Sequence, residues 1–314
     1  MKYVESIRQA LGKLLAEDEQ VYLLGEDILD PYGGAFGVTK GLSTKFPDRV
    51  LTTPVSEAGI VGVATGMAML GARPIVEIMF GDFVTLIADQ LINSASKFAW
   101  IYNDQVSIPL VIRTPMGGYR GYGPTHSQTL ESIFLTIPGI EIVAPSHYHN
   151  PGVILRECVL NSDWPTLFIE NKSLYPLELE KPTLTDKSGV SRIQLVNGRP
   201  DVTIIAYGGM VDLAVKVAKE LLLRHEIVVS IVAPSIIKPM SDLLCITKLA
   251  LILEETASDF GWGALASYQL ERQGIKTTRI TSGETPIPTS LRLEMQTLPQ
   301  ANYVVEILEQ MLDV

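Results

Sequence analysis

Short apolar runs rich in β-formers alternate with helical patterns along almost the whole chain. RPIVEIMF (73–80), IPLVIRTP (108–115), IEIVAP (140–145) and TLFIENK (166–172) read as buried strands. Continuous apolar runs of this length suit strands covered on both faces. Between them FVTLIADQLINSASKFAWIYN (83–103) has the length and composition of a helix. Near residue 180 the texture changes: LEKPTLTDKSGVSRIQLVNGRPD is polar and rich in turn formers, and reads as a linker. The alternation resumes with VTIIAYG (202–208), IVVSIVAP (227–234), LALILEET (249–256) and TTRITSG (277–283). Between the first two, Val211, Ala214, Val215, Ala218, Leu221 and Leu222 fall on one stripe of a helix. Strand–helix–strand alternation implies parallel sheets with helices on both faces. The expectation is an α/β protein of two doubly wound parallel-sheet domains, 1–180 and 200–314, joined by a linker over 181–199.

A chain of 314 residues suits two domains. Its net charge of −10 argues against a general nucleic-acid surface, which needs a positive field. Cys158 and Cys245 are far apart and show no metal-ligand spacing, which fits a reducing cytoplasm. The opening MKYVESIRQALGKLLAEDEQ reads as an amphipathic helix and lacks the apolar centre of a signal peptide. No apolar run reaches the roughly 18 residues of a membrane span. A soluble cytoplasmic protein without nucleic-acid or membrane partners is expected.

One stretch resists a purely structural account. In LTTPVSEAGIVGVATGMAML (51–70), Glu57 stands alone at the mouth of an apolar helix that carries Gly59, Gly62 and Gly66. Each interior glycine is about 1 kcal/mol worse than alanine. Pro54 and the good N-cap Ser56 precede it, so Glu57 could simply complement the helix dipole. Ala58, Gly62 and Gly66 at four-residue intervals instead make a face another helix could approach closely. A carboxylate at the end of a tightly packed apolar helix is poorly solvated, which suits it to sharing a proton with a ligand nitrogen.

A second stretch, TPMGGYRGYGPTHSQ (114–128), follows a strand and carries four glycines, two tyrosines and one arginine. Its spacing departs from a dinucleotide fingerprint. A flexible loop at a strand's carboxyl end is where open α/β sheets place ligands. His126 lies in it, whereas His147, His149 and His225 have no comparable setting and read as surface or structural.

TPVSEAGIVGVATGMAMLGARPIVEIMFGDF, followed by DQLINSASK and HSQ, resembles the β-subunit of thiamine-diphosphate-dependent 2-oxo acid dehydrogenases of the pyruvate, branched-chain and acetoin type. The resemblance runs from LLGEDI to GETPIP, nearly the whole chain. It implies that Glu57 hydrogen-bonds the aminopyrimidine ring of thiamine diphosphate and favours the imino tautomer that activates the thiazolium carbon. It also implies that Phe83 stacks on that ring, that Glu26 lies near the cofactor and that Val55 offers it backbone contact. His126 becomes the histidine that stabilises the substrate-derived intermediate and assists acyl transfer. The loop departs from the family in its bulk and charge, and Arg120 is expected to face a substrate carboxylate or phosphate.

The GDG motif that holds Mg²⁺ on the cofactor's diphosphate is absent, with FGDF only a partial echo, and there is no P-loop. The resemblance therefore implies an α-subunit that supplies Mg²⁺ and the phosphate grip, in an α₂β₂ assembly. VTIIAYGGMVDLAVKVAKEL, ILEETASDFGWGALA and GETPIP resemble the transketolase C-terminal domain, whose family role is dimer contact and docking. A dihydrolipoyl acyltransferase is the further partner implied. Two departures bear on that docking: IVAPSIIKPM lacks the usual Asp-Leu-Arg pattern, and the family's TPIPY is TPIPT here. The family's potassium segment is one residue longer here, at VLNSDWP (159–165), and no ligand is carried over. Three functions stay open: a 2-oxo acid dehydrogenase β-subunit, the β-component of a two-component transketolase or carboligase, and a non-catalytic scaffold subunit.

Overall fold

A computed structural model describes residues 1–243, 245–257 and 260–314, so that Ser258 and Asp259 of the ILEETASDFGWGALA stretch lie outside the described residues. Two sheets form the frame. The first, in spatial order, is Ile236–Lys238, Glu141–Val143, Thr166–Asn171, Val111–Met116, Arg73–Glu77, Val21–Gly25 and Val50–Thr52. The second is Lys276–Ser282, Leu249–Ala257, Val202–Ala206, Val229–Pro234, Val190–Ile193 and Leu184–Thr185. The centres of both sheets are parallel, as the alternation predicts. Their strands are buried nearly residue by residue, which explains why the sequence shows apolar runs rather than alternation.

The departures from all-parallel pairing lie at the edges. Ile236–Lys238 pairs antiparallel with Glu141–Val143, and Val190–Ile193 pairs antiparallel with Val229–Pro234. The stretch 181–199, expected as a linker, thus contains two short strands that extend the second sheet. The chain also leaves the second sheet at Pro234 and joins the first at Ile236, with the Ser235 carbonyl accepting the Ala144 N–H at 2.7 Å. The two sheets are stitched by main chain.

The helices follow the predicted pattern with two corrections. Helix Met210–His225 buries Met210, Val211, Ala214, Val217, Ala218 and Leu221, while Val215 and Leu222 sit on the flank of that stripe. Residues 83–103 do not make one helix. They pass through a 3₁₀ segment Gly81–Ile87, a π segment Gln90–Ala95 and a short α-helix Phe98–Ile101. Thr85 Oγ1 donates to the Asp82 carbonyl and Ser96 Oγ to the Ile92 carbonyl, and such back-bonding bends a helix and competes with its ladder. No helix among the described residues is long and apolar enough to cross a membrane.

Beneath the carboxyl edge of the first sheet lies a buried ionic cluster. Arg113 gives Nε and Nη2 to the two oxygens of Glu170 at 2.7 and 3.0 Å, and Nη1 to Glu77 at 2.9 Å. All three side chains are nearly inaccessible. Tyr175 adds its hydroxyl to Glu170 at 2.7 Å. The other oxygen of Glu77 accepts the Ala35 N–H at 3.3 Å, so the cluster also pins the loop that follows Val21–Gly25. Gly34 makes this approach possible, since a Cβ there would lie 2.4 Å from Glu77 Oε1 and its φ is +80°. Removing the cation would leave two buried carboxylates without it. Arg113→Met is expected to lower folding stability by about 3–5 kcal/mol, measured by urea unfolding.

Candidate active site

The carboxyl ends of the parallel strands in the first sheet bring most of the chemistry to one edge, as open α/β sheets do. Glu26 follows Val21–Gly25, Glu57 follows Val50–Thr52, Phe80 and Phe83 follow Arg73–Glu77, His126 lies in the loop after Val111–Met116, and Lys172 follows Thr166–Asn171.

Glu57 opens the helix Glu57–Met69 and is buried, as is Glu26. The two carboxylates face each other closely enough to interact. Burial, and after it the charge of Glu57, raises Glu26 above the usual carboxylate range, against the pull of the Ser56 N–H, which donates to it. Ser56 therefore does not cap the helix with its hydroxyl as predicted, and its backbone serves Glu26 instead. Glu26 Oε1 has no partner within the chain although it is shut away from solvent. A buried polar atom left open in this way calls for a ligand or water. Val55 stands just before this pair and is 81% exposed. The small-residue face behind Glu57 is left open among the described residues: Gly59, Gly62, Val63, Gly66 and Leu70 are all exposed.

Phe83 and His126, far apart in sequence, meet with ring centroids 5.4 Å apart, and Phe80 lies 4.6 Å from the same imidazole, both edge-on. Thr125 Oγ1 is 2.9 Å from His126 Nδ1. Gly81 keeps the aromatic turn tight against the next strand, because a Cβ there would fall 2.2 Å from Met116 Cγ. Asp82, also buried, accepts the Gln128 side-chain amide at 2.8 Å and so ties this turn to the histidine loop. His147 and His149 are buried, His149 Nε2 lying 3.2 Å from the Ala233 carbonyl, and His225 pairs with Glu309, so neither buried histidine is a surface residue.

The second domain holds the glycine loop from the other side. Glu255, at the end of Leu249–Ala257, accepts the Gly118 N–H with one oxygen and the Asn171 side-chain amide, at 3.0 Å, with the other. Glu294 accepts the Gly121 N–H at 2.8 Å and the Arg120 N–H at 3.4 Å, and Tyr119 donates its hydroxyl to the Pro299 carbonyl at 2.8 Å. Arg120 itself extends outward and is exposed, making no side-chain bond to these acids. Glycine is required where the loop passes: a Cβ on Gly118 would meet Leu298 at 2.5 Å, and one on Gly123 would meet Thr289 Oγ1 at 2.5 Å. Gly117, Tyr119, Gly121 and Gly123 all have positive φ. Burial pushes Glu255 up to about 7, with its two hydrogen bonds and Lys172 opposing that rise.

Residues 1–178 match the transketolase pyrimidine-binding domain, and residues 191–304 match the transketolase C-terminal domain. The β-subunit of acetoin:2,6-dichlorophenolindophenol oxidoreductase from Bacillus subtilis (strain 168) is 32% identical over 98% of this chain and 96% of its own length. The β-subunit of the pyruvate dehydrogenase E1 component from Leifsonia xyli subsp. xyli is 34% identical over 98% and 94%. This chain belongs to the transketolase-like family of 2-oxo acid dehydrogenase β-subunits. In fold the β-subunit is also similar to a split-gene transketolase solved as an inactive β4 tetramer, with a TM-score of 0.79 and 19% identity over 100% of this chain and 99% of that one.

The family works with thiamine diphosphate, and the open oxygen of Glu26 beside Glu57 suits the polar edge of its pyrimidine. Lys172, Glu255 and Glu294 escaped the sequence reading. Lys172 had a usable signal, since it ends a buried strand run at the sheet edge where ligands collect. Glu255 was marked only by an acidic pair closing an apolar run.

Glu255 gives this site a pH signature. The folded β-subunit holds its proton up to about pH 7, whereas an exposed glutamate releases it near 4.5. The stability this group contributes is full below 4.5 and is lost as pH rises through 7. Glu255→Gln removes that loss, so its melting temperature minus that of the wild type should rise between these pH values and then level off. A difference that falls over the same range would show that the ionised carboxylate is the favoured form.

Proposed function

We infer that this chain is the β-subunit of a thiamine-diphosphate-dependent 2-oxo acid dehydrogenase, decarboxylating a 2-oxo acid and passing on the acyl unit, active only together with an α-subunit. The observation that carries the inference is the placing of two buried carboxylates, Glu26 and Glu57, along the same sheet edge as the Phe83–His126 contact. Full-length likeness to β-subunits of that class supports it.

In this function Glu57 shares a proton with a ring nitrogen of the cofactor, and Glu26, raised above the usual carboxylate range by burial and then by the charge of Glu57, stands beside it. Phe83 presents an apolar face to the same ring and excludes water. Val55, with its side chain turned outward, offers main chain to it. Bound thiamine diphosphate supplies the carbanion chemistry. His126, braced by Phe80 and Phe83, is aimed to hydrogen-bond the oxygen of the reacting unit and to move a proton during its transfer. Arg120, exposed on the same loop as His126, is assigned to the substrate's anionic end.

The α-subunit holds Mg²⁺ and the diphosphate in this proposal, across an α₂β₂ assembly in the cytoplasm. The exposed glycine face of Glu57–Met69 supports a large protein contact there. A dihydrolipoyl acyltransferase is the proposed acceptor carrier.

Co-expression with the α-subunit, addition of thiamine diphosphate and Mg²⁺, and assay of 2-oxo acids with a dye and with a lipoyl domain test this directly. Glu57→Gln is expected to abolish turnover while leaving assembly intact, and unaffected turnover would favour a scaffold role. Activity confined to sugar donors and aldehyde acceptors would overturn the dehydrogenase assignment. Arg120→Ala should change the ranking of 2-oxo acids, and an unchanged ranking removes Arg120 from substrate contact.

A further inference from the structure

Lys172 is completely buried just past the end of Thr166–Asn171, yet it forms no ion pair with a carboxylate among the described residues. Lysine is almost never buried to this degree without an ionic partner, and an unpaired buried charge is destabilising. Its ammonium donates one hydrogen bond, to the backbone carbonyl of His126 at 2.6 Å. It also lies 5.4 Å from the ring centre of Phe80 and 5.8 Å from that of Tyr122, within cation–π range. Phe80 is in turn the ring nearest the His126 imidazole. Lysine 172 thus touches the histidine's main chain and the aromatic ring that braces its side chain.

A residue placed here only for packing would be apolar, since apolar groups of similar volume commonly replace buried ions without loss of stability. Something other than stability keeps the charge. We propose that Lys172 is a positioning residue for His126, its charged ammonium fixing the loop carbonyl and thereby the placing of the imidazole against Phe80 and Phe83. This rests on the function proposed above, in which His126 serves turnover.

The charged groups around the ammonium come from four elements. Glu255 of the second domain, Asp82 of the aromatic turn and Glu294 of helix Leu291–Thr297 favour its charged form, and Arg120 of the glycine loop opposes it. Burial outweighs them all and lowers the group to about 8. Above that pH the bond to His126 loses its charge assistance and weakens.

The test is Lys172→Met, assembled with the α-subunit and assayed with the 2-oxo acid that the wild type uses. The expected kcat is lower by on the order of 10–100-fold, as for a catalytic group slightly misplaced. KM should change by less than about threefold, because uniform substrate binding is untouched. The melting temperature at pH 7 should equal or exceed that of the wild type. The decline of wild-type kcat above about pH 8 should be absent from the variant. In the full β-chain without cofactor, the His126 ring resonance, assigned by its loss in His126→Asn, should shift near pH 8 in the wild type and not in Lys172→Met. A variant with wild-type kcat, or one whose kcat and melting temperature fall together, overturns the proposal. Should Lys172→Met not be recovered folded, the wild-type resonance decides, and no transition near pH 8 overturns it. A wild-type complex inactive on every 2-oxo acid would sink the function instead, with the resonance still reporting on Lys172.

Discussion

The site depends on carboxylates of one domain accepting main-chain N–H groups of the other. The loop after Val111–Met116 contains Gly117, Gly118, Gly121 and Gly123, and left to itself would have no preferred course. Glu255 takes the Gly118 N–H and Glu294 takes those of Arg120 and Gly121, so its first turn is fixed by the second sheet rather than by the first. Because both acids are buried, each bond is made where water cannot compete, and an unmade one would leave a buried charge open. The second domain is therefore part of the frame around His126. Main chain crossing between the sheets at Ser235 joins the two domains a second time.

Burial without neutralisation recurs along the edge. Glu26 and Glu255 are both raised mainly by loss of solvent, and Lys172 is lowered by the same cause. Two acids and one base are thereby moved toward the pH range in which protons can be exchanged. Groups shifted in this way cluster at functional sites, although structural ion pairs can do the same. Arg113 with Glu77 and Glu170 is the structural kind here: its charges are matched by three short bonds and it faces the supporting loop. Lys172 has no such match, and this separates it from the ionic cluster, whose Glu170 lies two residues before it.

The fold was legible because buried parallel strands write themselves as apolar runs, and each of the eight runs named corresponds to a strand. The edges were not, because Leu184–Thr185 and Val190–Ile193 are short and polar-flanked, and Ile236–Lys238 pairs with a strand nearly a hundred residues earlier. The broken passage 81–101 failed for a different reason: hydroxyl back-bonds at Thr85 and Ser96 act against a composition that otherwise favours a continuous helix. Of the site, Glu57 and His126 stood out as a charge and a ring in settings that structure alone did not require. Phe83 and Val55 needed the family resemblance, as one looks like core and the other like loop. Lys172, Glu255 and Glu294 act through main-chain groups, and a contact to a carbonyl or an N–H leaves no partner residue type for the sequence to show.

The charge around the edge also decides where a diphosphate can be held. Glu26, Glu57, Asp82, Glu131, Glu255 and Glu294 are all buried near the carboxyl ends of the strands, against Lys172 and the exposed Arg120. Lys172 is committed to the His126 carbonyl, and Arg120 is exposed on the loop that Glu294 holds. Such an edge attracts protons and nitrogen bases and repels a polyanion. It suits the pyrimidine end of the cofactor and not the phosphate end. The family's β-subunits imply an α partner, and in the function proposed above that partner brings the cation that holds the two phosphates. The exposed glycines at 59, 62 and 66 leave room for a partner's backbone to come close to Glu57, which is what the proposed sharing of one cofactor between two chains requires.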